Sequence, residues 1–193
     1  MEMLAFLNRK SRAIGSAFAL VGVAASSLLG MTTSASAASY APASDPTLTR
    51  ITAKADGKNI ASSQLAGVQW QNVNSGKCLV TQGFGDSSAF QFTCAGYADQ
   101  QWNLVPDSSG QFFQLKNVHS SKCLAAQGFG DSGAFQSTCA GFADQFWAVY
   151  VNSSGQYKFQ NANSGKCLLV QGGADNNPVV QYTCLNFPDQ LWW

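Results

Sequence analysis

Charge is scarce in this chain: charged residues make up 11% of its 193 positions, and its single glutamate is Glu2. Beyond residue 37 there is no run or patch of Lys and Arg, which argues against a nucleic-acid or lipid-headgroup binder. There is one histidine, His119. With it alone the chain has no set of ligands at zinc spacing, so no metal and no cofactor is expected. The sequence holds no G-x-S-x-G and no adjacent acid/base pair, and glycoside hydrolysis needs two carboxylates flanking one bond. A non-enzymatic role follows. Beyond residue 37 no apolar stretch is long enough to span a membrane, and no segment keeps a 3.6-residue apolar period.

What is present begins with an export signal. Arg9, Lys10 and Arg12 form a basic start, Ala13–Met31 an apolar core, and Ala35-Ser36-Ala37 an A-x-A cleavage site. Residues 1–37 therefore read as a secretory signal peptide, and the mature protein as secreted and extracellular. The apolar core is mostly Ala, Gly and Ser, which suits a cleaved signal better than a membrane anchor. Over residues 38–193, eight basic residues face nine aspartates, alongside 17 Gln and 11 Asn. Neutral amides both donate and accept hydrogen bonds, and so suit hydroxyl-rich ligands. Residues 38–66, rich in Ala, Ser and Thr and without period, read as a leader or linker.

From Gly67 the chain says one thing three times. Cys78, Cys123 and Cys167 open the motif, Cys94, Cys139 and Cys184 follow, and Trp102, Trp147 and Trp192 close it. The steps are 44 or 45 residues, which marks an internal repeat, with units at about 67–110, 111–155 and 156–193. In an exported chain the symmetric pairing is Cys78–Cys94, Cys123–Cys139 and Cys167–Cys184. Each unit carries four short strands separated by turn residues, the pattern of an all-β barrel or sandwich. In the first unit they fall at Val68–Val73, Lys77–Gln82, Ala89–Thr93 and Gln100–Val105. Leu115 and Phe159 take the place of Trp70.

Three units with a Cys-Leu pair near the start and a Q-x-W at the end (Gln100/Trp102, Gln145/Trp147, Gln190/Trp192) resemble the ricin B-type lectin family. The resemblance covers about Gly67–Trp193. It implies a β-trefoil: three four-stranded repeats with pseudo-threefold symmetry, a six-stranded barrel and three capping hairpins. In that family each unit can hold a shallow sugar pocket built from an Asp two residues after the first Cys, an aromatic two before the second, and an Asn before Q-x-W. Here the Asp position is Val80, Ala125 and Leu169. The aromatic is Phe92, Ser137 and Tyr182, and the Asn is Asp99, Asp144 and Asp189. Gln82, Gln127 and Gln171 lie two residues past the lost Asp on the same strand face, where an amide can replace it.

The expected carbohydrate-binding set is therefore Gln82, Phe92, Asp99 and Gln100; Gln127, Asp144 and Gln145; and Gln171, Tyr182, Asp189 and Gln190. For Gln100, Gln145 and Gln190 a purely structural role stays equally open. The aspartates Asp86, Asp131 and Asp175 read as solvated turn residues, and His119 as polar surface. The resemblance implies a monomeric, lectin-like module for a saccharide or polysaccharide, with one to three weak sites. Trefoils also serve as interaction or inhibitor proteins, because fold alone does not settle function. An inhibitor with degenerate sugar pockets is the alternative.

Overall fold

The computed structural model describes residues 47–53 and 66–193. The expected signal peptide and most of the expected leader lie outside the described residues. Thirteen short strands follow one another: β1 (Thr49–Ile51), β2 (Val68–Gln69), β3 (Cys78–Val80), β4 (Ser87–Ser88), β5 (Phe90–Phe92), β6 (Gln101–Pro106), β7 (Phe113–Asn117), β8 (Cys123–Ala126), β9 (Ser132–Ser137), β10 (Trp147–Val151), β11 (Tyr157–Asn161), β12 (Cys167–Val170) and β13 (Val179–Tyr182). A one-turn 3-10 helix follows the hairpin of each unit, at Ala98–Gln100, Ala143–Gln145 and Pro188–Gln190, and leads into β6, β10 and, in the third unit, the bridging residue Trp192. The sequence placed Gln100 at the start of a strand. The 3-10 turn takes it instead, and strand pairing begins one residue later.

The barrel follows from the pairings. β2 pairs β6, β6 pairs β7, β7 meets β10 at Phe113–Trp147, and β10 pairs β11. Trp192 bridges both Tyr157 and Asn72, which closes the ring on the first unit. Closure leaves no free edge in the ring. Hairpins β3–β5, β8–β9 and β12–β13 carry the middle strands of each unit. All pairings are antiparallel, and the fold is the expected all-β trefoil. β1 was not foreseen: Thr49–Ile51 pairs Val149–Val151 of β10, and Ile51 is buried in the core cluster. Three residues of the presumed linker thus belong to the sheet.

The tryptophans fill the centre. Trp102, Trp147 and Trp192 are fully buried, and their indole N–H groups donate to Leu79 O, Leu124 O and Leu168 O at 3.1, 3.1 and 3.4 Å. A buried indole needs such a partner, and each unit supplies it from the residue after its first cysteine. Trp70, Leu115 and Phe159 pack in the same cluster. The three disulfides pair as the symmetry requires.

Each unit is also tied to the one before it. Gln136 Nε2 reaches the carbonyls of Gln82, Gly83 and Gly85 and the hydroxyl of Ser87. Gln181 Nε2 makes the equivalent contacts to Gln127, Gly128, Gly130 and Ser132. Gln91 does so to the carbonyls of Gly172 and Ala174. All three glutamines are fully buried. The residue after Gln82, Gln127 and Gln171 is glycine at φ +76°, +77° and +80°. That left-handed turn, costly for other residues, folds each loop back over the neighbouring amide.

The loop aspartates are not merely solvated. Asp86, Asp131 and Asp175 each accept from a lysine of the next unit, Lys122, Lys166 and Lys77, all at 2.7 Å. This ring of inter-unit ion pairs corrects the turn-residue reading. For Asp175 the Lys77 ammonium, helped by the Thr93 N–H and hydroxyl, holds the carboxyl below the usual carboxylate range despite the desolvation that opposes it.

Candidate saccharide site

The same asparagine recurs at each junction between units and ties the two units together there. Asn161 is fully buried. Its Nδ2 donates to Asp144 O at 2.8 Å, and its Oδ1 accepts from the N–H groups of Asn163 and Ser164. One side chain thus holds the 3-10 turn of the second unit against the first turn of the third. Asn117 does the same for Asp99 and His119, and Asn72 for Asp189 and Asn74.

At the junction of units two and three, Gln127, Phe142, Ala143, Asp144 and Asn163 line a hollow of about 400 Å³. Gln127 and Phe142 are exposed and Asp144 is half-buried. The hollow offers an aromatic face, two neutral amides and a carboxylate. Those are the groups that hold a sugar ring by its C–H face and its hydroxyls. In each unit the Asp has one carboxylate oxygen, Oδ1, that is buried and without a hydrogen-bond partner. Burial raises the Asp189 carboxyl above the usual range, outweighing the pull of its own and the Gln190 N–H.

Two of the expected residues, Gln127 and Asp144, therefore come together as the sequence reading required. The ring beside them does not come from position 137. It is Phe142, which precedes the 3-10 turn, with counterparts Tyr97 and Phe187; the three are 57–68% exposed. Phe92 and Tyr182 stand half-exposed on their hairpins, opposite Cys78 and Cys167. Asn163 went unassigned because it belongs to the next unit. The aromatic two residues before Asp99, Asp144 and Asp189 is a recurrent spacing that points to the ring directly.

Gln100, Gln145 and Gln190 are corrected to structural roles. Their amide oxygens accept from Ala95, Ala140 and Leu185 N–H, and their nitrogens donate to Thr93, Thr138 and Thr183 O. At 1–3% exposure, they staple the segment behind the second cysteine and cannot reach a ligand. Val80, Ala125 and Leu169 are sealed into the interior, so the family's carboxylate wall is replaced by packing.

By repeat register, the counterparts of the second-unit hollow are Gln82, Tyr97, Asp99 and His119 in one case. In the other they are Gln171, Phe187, Asp189 and Asn74. Among the described residues no group of three or more His, Cys, Asp or Glu is placed to hold a metal ion.

Solved structures share this architecture. A designed threefold-symmetric protein, ThreeFoil, is 26% identical with a TM-score of 0.59, covering 64% of this chain and 94% of its own. The Rhizoctonia solani agglutinin is 19% identical, TM-score 0.56, with 65% of this chain and 92% of the agglutinin covered. The hemolytic lectin CEL-III is 22% identical, TM-score 0.54, with 66% of this chain matching 32% of that one. The last two show the fold alone. No curated protein matches the sequence at a significant level. The family described as ricin-type beta-trefoil lectin domain-like matches three overlapping segments, 59–139, 99–182 and 143–193. With more than half its length matched, unit by unit, the chain belongs to the ricin-type β-trefoil lectin domain-like family.

Proposed function

We propose that this protein is an exported, monomeric, non-catalytic carbohydrate-binding protein whose principal site is the hollow at the junction of units two and three. The observation that carries the reading is Phe142, 68% exposed beside Asp144, Gln127 and Asn163. A large ring held open to solvent beside the exposed Gln127 amide, with Asn163 spending a donor on Gly128 O, presents an apolar face and polar groups to a ligand. The three disulfides support an oxidising, extracellular setting.

The counterpart positions at the other two junctions, Tyr97 with His119 and Phe187 with Asn74, extend the reading to as many as three sites on one body, which favours polymeric glycan through avidity rather than through single-site strength. The inhibitor alternative has less support. The 83–89 loop that would present itself to a protease is bonded back to Gln136 through Gly83, Gly85 and Ser87.

The test is binding to a glycan array and to insoluble polysaccharides, with Phe142→Ala and Gln127→Ala as variants. Each substitution weakens binding about tenfold or more. Failure of the wild type to bind any glycan at millimolar sugar refutes the reading.

A further inference from the structure

A second hollow lies beside the first. It measures about 380 Å³, and its lining includes Phe129, Ser164, Lys166 and Thr183. The two hollows draw on neighbouring residues of the same two segments: Gln127 and Asn163 line one, Phe129 and Ser164 the other. Asn163 Nδ2 donates to Gly128 O at 3.3 Å, so a single hydrogen bond forms the ridge between them. We propose that the two hollows are adjoining subsites for consecutive sugars of one neutral oligosaccharide, with Phe129 as the platform of the second. The inference rests on the saccharide reading of the first hollow.

Three departures from threefold symmetry single out this junction. Phe129 and its counterpart Phe84 are similarly exposed, at 74% and 70%, but Phe84 leans on His119 with ring centroids 4.5 Å apart, whereas the Phe129 ring meets no other ring among the described residues. The third counterpart is Gly173, which offers no ring at all.

In the first two units the lysine before the first cysteine also donates to a threonine hydroxyl, Lys77 to Thr93 at 3.1 Å and Lys122 to Thr138 at 3.3 Å. No such bond joins Lys166 to Thr183, and Thr183 is exposed. The Thr183 hydroxyl is therefore free for a sugar hydroxyl, while the Lys166 ammonium lies over the Tyr182 ring, 5.8 Å from its centroid. Lys166 is already paired with Asp131 at 2.7 Å, so the subsite carries no uncompensated charge. That favours a neutral glycan over an acidic one. A terminal sugar fills one hollow, and only a chain of two or more units reaches both.

The experiment measures affinity against chain length. Neutral gluco-, xylo- and galacto-oligosaccharides of increasing length, from the monosaccharide upward, are titrated calorimetrically into the wild type and the Phe129→Ala, Thr183→Val and Phe142→Ala variants. In at least one series the wild type gains about tenfold on going from monosaccharide to short oligosaccharide. Phe129→Ala and Thr183→Val each remove most of that gain and leave monosaccharide affinity unchanged. Phe142→Ala weakens every length.

A wild type that binds monosaccharide with no gain for longer chains overturns the second subsite and leaves the first standing. So do variants that keep the full gain. Absence of binding at every length in every series overturns both. Phe129 and Thr183 are exposed, so neither substitution threatens the fold.

Discussion

Gln181 is the side chain on which the site's loop hangs, and Gln181→Leu is the sharpest perturbation of the structure. Its Nε2 lies 2.9–3.3 Å from Gln127 O, Gly128 O, Gly130 O and Ser132 Oγ, and its Oε1 accepts from Ser164 Oγ at 2.7 Å. An amide nitrogen has two hydrogens, so the four contacts amount to two shared bonds, and Ser164 makes a third. At about 1 kcal/mol net for each, the loss approaches 3 kcal/mol. Leucine keeps the volume and adds apolar burial, while the exposed loop carbonyls recover water, both of which lessen the loss. The expected cost is therefore about 2 kcal/mol.

For a domain of this size that lowers the thermal midpoint by roughly 4–8 °C. Denaturant melts give the free energy. Amide hydrogen exchange over residues 127–132 reports the latch itself and should rise well above the change in the rest of the barrel. Because Gln127 and Phe129 ride on this loop, glycan affinity falls as well. A loss below about 0.5 kcal/mol with unchanged exchange would refute the claim that this amide positions the site.

Other substitutions separate the remaining forces. The paired change Cys123→Ala/Cys139→Ala opens a 16-residue loop and should cost about 3 kcal/mol, read by denaturation with and without reductant. Lys122→Met breaks an ion pair whose aspartate is largely exposed. It should cost at most about 1 kcal/mol and progressively less as salt rises. Ile51→Ala should cost about 2 kcal/mol, because that side chain is a nearly buried member of the barrel core.

Acid titration should show two limbs on either side of the ordinary Asp value of 3.8. The Asp189 carboxyl is raised by burial, so the folded chain takes up that proton first and gains stability as pH falls toward 3.8. Below 3.8 the lowered carboxyls work the other way, and their contribution is lost as pH falls further. For Asp107 burial is outweighed by bonds from the Ser109 hydroxyl and backbone N–H groups, and for Asp175 the Lys77 pair dominates. Asp189→Asn should flatten the first limb alone. An unchanged limb in that variant would show that Asp189 is not its source.

The fold was legible in the sequence because its determinants are local and repeated. Cysteine spacing, Cys-Leu and Q-x-W state the same unit three times, and closure follows from three copies of one strand pattern. β1 was not legible. Three residues, Thr49–Ile51, in an Ala/Ser/Thr-rich stretch carry too little pattern, and only the unpaired length of β10 makes them a strand.

The site was half legible. Gln127 and Asp144 announced themselves by recurrence, and their roles could be weighed from position in the unit. What the sequence could not assign were residues whose meaning lies across a junction. Asn163 completes a hollow begun in the previous unit, Gln181 holds a loop 49–54 residues away, and Asp131 pairs with Lys166. It also could not tell a glutamine that staples backbone, such as Gln145, from one that faces solvent, such as Gln127. Both are amides at invariant positions of the unit. Only burial and the direction of the side chain, set by the 3-10 turn in one case and a left-handed glycine in the other, decide which one a ligand can touch.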